Sequence, residues 1–99
     1  MFTVGSLRVD LSHRRVAMDG GEVHLTPIEY RLLAPLVKNA GKVLLHRQLL
    51  TEVWGASHVE HTHYLRISMA CLRQKLEADL ARPRYLQTEV GVGYRLAAE

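Results

Sequence analysis

The sequence predicts an α+β domain: a meander of four short strands, then three helices, then a closing β-hairpin. Three observations predict it. Residues 2–25 break into short apolar runs separated by turn residues. Residues 26–80 carry apolar positions at helical spacing. Residues 85–97 return to strand-like residues around Gly91-Val92-Gly93. With 99 residues, 47% hydrophobic and 23% charged, the chain has the make-up of one globular domain with a single modest core.

In chain order, Phe2–Val4, Leu7–Leu11, Arg15–Met18 and Val23–Leu25 read as strands, with Gly5-Ser6, Ser12-His13 and Asp19-Gly20-Gly21 as the turns. Thr26-Pro27-Ile28-Glu29 is a helix start: Thr26 caps, Pro27 takes the first helical position, and Glu29 reaches back to the Thr26 amide. Ile28, Leu32, Leu33, Leu36 and Val37 form the buried face, and Asn39-Ala40-Gly41 ends the helix. Pro35 removes one backbone hydrogen bond, so a kink is expected near residues 31–35. Val43–Leu45 reads as a brief extended link. The second helix runs from about Arg47 to Trp54, with Leu49, Leu50, Val53 and Trp54 inward; Leu45 and His46 are poor caps, which predicts a ragged start. Gly55–Glu60 reads as a loop.

The third helix, read as running to about Leu80 with its recognition part at about 61–77, is the most informative segment. Leu65, Met69, Leu72 and Leu76 recur at i, i+4, i+7 and i+11 and stack on one face. The other faces carry His63, Arg66, Ile67, Ala70, Arg73 and Gln74, with no acid until Glu77. A helix docked by one stripe can offer such a surface to a DNA major groove, where Arg and Gln meet base edges and small apolar groups meet thymine methyls. Tyr85–Val90 and Tyr94–Ala97 then form the hairpin.

Composition excludes several classes. The single cysteine, Cys71, rules out an internal disulfide and a Cys-based zinc site and fits a reducing compartment. No apolar run reaches membrane-spanning length, and no signal pattern opens the chain, so a cytoplasmic protein is the simplest reading. No Ser/His/Asp set or carboxylate pair has catalytic spacing, so no enzyme and no cofactor is expected. The formal charge of +3 is mild but uneven. Residues 63–98 hold six basic side chains against three acidic, while residues 1–62 hold seven against six.

Helix, loop, helix and hairpin in this order is the layout of a winged helix-turn-helix, in which the last helix reads a groove and the hairpin flanks it. The residues LTPIEYRLL, NAGKVL, RQLLTEVWG, LRQKL and TEVGVGYRL, in that order over essentially the whole chain, resemble the DNA-binding output domain of OmpR/PhoB-type response regulators. VEHTHYLRI and ARPRY are most similar to the members that control potassium-transport operons. The resemblance implies a four-stranded N-terminal sheet, three helices and a C-terminal hairpin wing. It also implies an upstream phosphoacceptor receiver, for which 99 residues leave no room, so residues 1–99 read as the effector domain alone.

It further implies double-stranded promoter DNA as partner, bound at direct repeats by a head-to-tail homodimer that is monomeric off DNA. RNA polymerase would meet the loop of Gly55, Ala56, Ser57, His58, Val59 and Glu60. The recognition helix would lie in the major groove and the wing, about residues 85–97, at the adjacent minor groove. Arg73 and Thr88 match positions that meet the DNA backbone in relatives, and Ile67 matches a base-facing one. Cys71 and Val90 stand where many relatives have DNA-contacting arginines, so base readout and wing charge are expected to differ.

The DNA-binding set expected is His63, Tyr64, Arg66, Ile67, Ala70, Cys71, Arg73, Gln74, Arg84, Thr88, Val90, Gly91 and Arg95. Each has a plainer alternative. Arg73 and Lys75 would both suit a helix C-terminus electrostatically, and Lys75 reads as simply solvated. Arg66 can form a surface ion pair, Tyr64 can pack on the hairpin or donate to phosphate beside His63, and Cys71 can be a small neutral contact. Gly91-x-Gly93 reads as a hairpin turn and Trp54 as core. HVEHTH gathers three His and a Glu in six positions, yet lacks a second cluster, so no metal is expected. A winged helix used for protein contacts, or a metal-dependent enzyme built on HVEHTH, would be the other readings.

Overall fold

A computed structural model describes residues 1–58 and 60–98. Strands β1 (Phe2–Val4), β2 (Leu7–Asp10), β3 (Arg15–Met18) and β4 (Gly21–Val23) form an antiparallel meander in sequence order. Register pairs Val4 with Leu7, Val9 with Val16 and Val16 with Val23. Alternation therefore puts Val4, Leu7, Val9 and Val16 in the core while Thr3, Arg8 and Arg15 face out.

The last strand sits two residues earlier than the sequence reading of Val23–Leu25. Asp19 and Gly20, at φ +52° and +80°, form a two-residue turn with both central residues left-handed, so pairing resumes at once with Met18 opposite Gly21. Leu25 is thereby left to lead into the helix cap.

Helix α1 (Pro27–Lys38) starts with the expected capping box: the Glu29 amide donates to Thr26 Oγ1 at 3.2 Å, and the Thr26 amide to Glu29 Oε1 at 2.9 Å. It runs through Pro35 and ends where the Asn39 side chain donates to the Pro35 carbonyl at 2.8 Å. Helix α2 (His46–Trp54) is less ragged at its start than expected, because Gln48 Oε1 accepts from the Leu45 amide at 2.8 Å. A 3-10 turn, Ala56–His58, stands inside the segment read as a loop.

Helix α3 (Thr62–Leu76) is shorter than the reading that took it to about residue 80. Its end is set by Glu77, which leaves the helix and turns its carboxylate on the next segment. Oε1 accepts from the Arg84 amide at 2.6 Å, and Oε2 from the Tyr85 and Leu86 amides at 2.9 and 2.8 Å. Glu77's own backbone is extended, at φ −103° and ψ 134°, so the helix does not pass it.

Strands β6 (Leu86–Glu89) and β7 (Gly93–Leu96) form the hairpin, and the link read as merely extended contains a third strand, β5 (Leu44–Leu45), paired to β7. The sheet order is β5-β7-β6, which leaves β6 at an edge. The two glycines of the hairpin do different work. Gly91, at φ +75°, makes the turn. Gly93 lies against the Leu44 carbonyl, and a Cβ there would run into it. One core joins both sheets and all three helices, from Val9 and Val16 through Leu32, Leu50 and Met69 to Leu86 and Leu96. Among the described residues no helix is long and apolar enough to cross a membrane.

Candidate nucleic-acid interface

The apolar seam is fully buried: Leu65, Met69, Leu72 and Leu76 are at most 1% exposed. At 100° per residue, the side opposite that seam is made of His63, Ile67, Ala70 and Gln74, and all four are exposed. Ile67 is 62% exposed, which no packing partner explains. The first turn of α3 contains no acidic residue. The outward side of α3 is thus an acid-free strip of imidazole, small apolar and amide groups.

The two flanks of α3 are fastened. Towards α1 and α2, Tyr64, Ile67, Ser68 and Cys71 line an open groove of about 390 Å³ with Thr26, Ile28, Glu29 and Trp54. Tyr64 packs on Trp54, ring centres 6.0 Å apart, and on His63 at 4.2 Å and His61 at 5.1 Å. It therefore does not pack on the hairpin, the alternative weighed from sequence: the first turn of α3 meets the end of α2 instead.

Lys75 is not simply solvated. Its ammonium donates to Glu29 Oε1 at 2.6 Å and to the His24 carbonyl at 2.9 Å. Helical spacing puts it on the same flank as Cys71 and Ser68, directly over the α1 cap. Burial alone would raise the Glu29 carboxyl. The Lys75 ammonium and the Thr26 amide and hydroxyl outweigh it, and the group is held below the ordinary 4.5.

Towards the hairpin, Arg73 is half-buried. Its Nε and Nη2 both donate to the Leu86 carbonyl, at 3.1 and 2.8 Å, and Nη2 donates to Thr88 Oγ1 at 2.6 Å. Its guanidinium carbon stands 5.6 Å from the Tyr94 ring centre. Arg66 lies two turns before it on the same flank, exposed, and makes no ion pair among the described residues.

The remaining expected residues divide. Val90, 91% exposed, and Gly91 form the hairpin tip, with Thr88 exposed at its root. Arg95 is engaged within the hairpin, its Nη2 2.7 Å from Glu89 and 3.0 Å from Gln87 Oε1. Arg84 stands over the Tyr85 ring at 5.2 Å, beside the Gly5–Ser6 turn of the first sheet, apart from the outward strip. Cys71 is exposed at the rim of the groove. In the segment read as a polymerase contact, Val59 lies outside the described residues, while Gly55 is half-buried and Ala56, Ser57 and Glu60 are exposed. Among the described residues no three His, Cys, Asp or Glu side chains come together as a metal site. Sequence reasoning missed Glu77, whose partners lie 7 to 9 residues on beyond the helix, and the Glu29–Lys75 pair, 46 residues apart; neither contact leaves a periodic signal.

This arrangement, a helix with a free outward side beside a fastened hairpin, defines a winged-helix DNA-binding module. A family described as "Transcriptional regulatory protein, C terminal" matches residues 20–96. The chain belongs to it and is a DNA-binding effector domain of the OmpR/PhoB response-regulator type, a class of transcription regulators.

Among its relatives is the KDP operon transcriptional regulatory protein KdpE of Escherichia coli (strain K12), 64% identical over 87 residues, covering 88% of this chain and 39% of KdpE. The chain thus spans about two fifths of that relative's length. The Thermotoga maritima OmpR/PhoB homolog DrrB superposes with a TM-score of 0.86 at 31% identity over 97% of this chain and 43% of DrrB. The Klebsiella pneumoniae RstA DNA-binding domain, solved in complex with the RstA box, gives 0.88 at 26% identity, over 99% of this chain and 97% of that one.

Proposed function

We propose that the domain binds duplex DNA at specific sites, with α3 in the major groove and the hairpin as a wing at the adjacent minor groove. The observation that carries the proposal is the exposed, acid-free side of α3, held outward by two fastened flanks. His63, Ile67, Ala70 and Gln74, with Cys71 at the rim, face base edges. Arg66 and Tyr64 meet the backbone, with Arg73 and Thr88 at the helix–wing junction, while Val90 and Gly91 approach the minor groove. Arg84 and Arg95 stand further out as backbone contacts. The charge that many relatives hold at the Cys71 and Val90 positions is absent, so apolar contact contributes more to this readout.

The domain works as the output of a cytoplasmic two-component regulator, downstream of a receiver, and its likeness to KdpE supports control of a potassium-transport operon. Pairs assemble head to tail on direct repeats, and the residue 55–60 segment meets RNA polymerase. Titration against duplexes selected from a random pool tests the core of this. Affinity falls as salt rises, with a logarithmic slope of about −0.9 per phosphate neutralised, and scrambled sequence binds more weakly. Binding indifferent to both salt and sequence would refute it.

A further inference from the structure

We propose that Arg73 is a positioning residue that sets the wing against α3, and that its contribution to DNA affinity is made through the wing. The affinity clause rests on the DNA-binding reading above. The positioning clause rests on the free domain alone.

Strand β6 is the edge of its sheet, and Leu86 on it is fully buried, so both its main-chain groups need partners other than water. Both are supplied from the end of α3. Glu77 Oε2 accepts from the Leu86 amide at 2.8 Å, and Arg73 donates twice to the Leu86 carbonyl. The same guanidinium reaches Thr88 two residues along β6, and the ring of Tyr94, which pairs with Thr88 across the hairpin. One side chain on α3 therefore touches both strands of the wing at its root.

All these partners are neutral, and among the described residues no carboxylate competes for the guanidinium. A planar fork is the group that can bridge a carbonyl and a hydroxyl in one fixed geometry. The turn at Gly91 follows Thr88 by three residues, so the angle set at the root decides where the tip meets a neighbouring groove.

Lysine separates this role from a direct phosphate contact, because an ammonium meets phosphate as a point charge but cannot reproduce the fork. Arg73→Lys and Arg73→Ala are compared on the duplex that wild-type protein selects, by titration and hydroxyl-radical footprinting, with thermal melts confirming the fold. Both are expected to lose affinity roughly tenfold, the scale of one lost charge-assisted bond. Protection disappears at the groove beside the α3 footprint while that footprint remains. Thr88→Val, at an exposed position where folding is not at stake, gives a smaller loss of the same pattern and adds little to Arg73→Ala.

Without DNA, the amide NMR signals of residues 86–94 move in Arg73→Lys while those of α1 and the first sheet stay. An Arg73→Lys domain with wild-type affinity and footprint overturns the affinity clause, and unmoved hairpin signals overturn the positioning clause. If wild-type protein selects no duplex, the DNA-binding reading fails, and the DNA-free spectra alone decide what Arg73 positions.

Discussion

Arg73 and Lys75 stand two residues apart at the end of α3, yet each fastens an opposite flank of the helix by different chemistry. The Lys75 ammonium meets a buried carboxylate, Glu29, and a carbonyl, His24, at one point. The Arg73 guanidinium spreads over a carbonyl, a hydroxyl and a ring, all neutral. The first is an ion pair whose worth depends on both charges; the second is a shaped fork that leaves its own charge uncompensated. Between them lies the exposed side of α3. Two cations that look interchangeable in sequence thus serve an α1 contact and a wing contact.

This division can be broken from its anchors inward. The largest effect is expected at Glu77, the buried carboxylate that receives three amides. Glu77→Ala leaves those donors without acceptors and should cost about 4 kcal/mol in a denaturant melt, loosening the wing side first. Gly93→Ala comes next. Its Cβ would press on the Leu44 carbonyl, parting β5 from β7 at about 3 kcal/mol on the same measurement.

Lys75→Ala acts on the other flank by stranding Glu29. Because the Lys75 side chain is 35% exposed, the loss is discounted to about 1–2 kcal/mol. Its pH dependence sharpens the comparison. Glu29 is held below 4.5 in the folded state, so its stabilising contribution is complete above that value and is lost as pH falls through the lower folded one. Wild-type stability should therefore drop below about pH 4.5, and Lys75→Ala should drop less, when unfolding free energy is measured from neutral to acid pH. No change in that slope would mean that the pair does not govern the flank.

The smallest stability effect belongs to the outward side. Ile67→Ala and Gln74→Ala should alter stability by less than about 0.5 kcal/mol, since both side chains are exposed. Both should alter the preferred DNA sequence in a binding selection, where flank substitutions weaken all sequences alike. A shift in melting without a shift in preference would reverse the roles assigned to face and flank.

The seam of α3, the Thr26 capping box and the alternation of Val9 and Val16 were legible because each is a local pattern with one physical solution. The candidate face was legible for the same reason, as the complement of the seam. What misled was proximity in sequence. Lys75 read as solvated near the helix C-terminus, though its partner is 46 residues away. The end of α3 read as later because residues 77–80 have no helix breaker, though Glu77 is drawn to the amides of residues 84–86. Strand β5 read as a link because two residues carry too little pattern to announce a partner in β7.

Periodicity, caps and turns, all interactions over a few residues, determine from sequence alone which elements form and which side of α3 is apolar. Tertiary structure decides which cation fastens which flank, where α3 stops and why Gly93 has no side chain. These depend on atoms brought together from different elements, with partners from 7 to 51 residues apart in sequence, and a hydrogen bond or a steric clash acts only at the distance the completed fold creates.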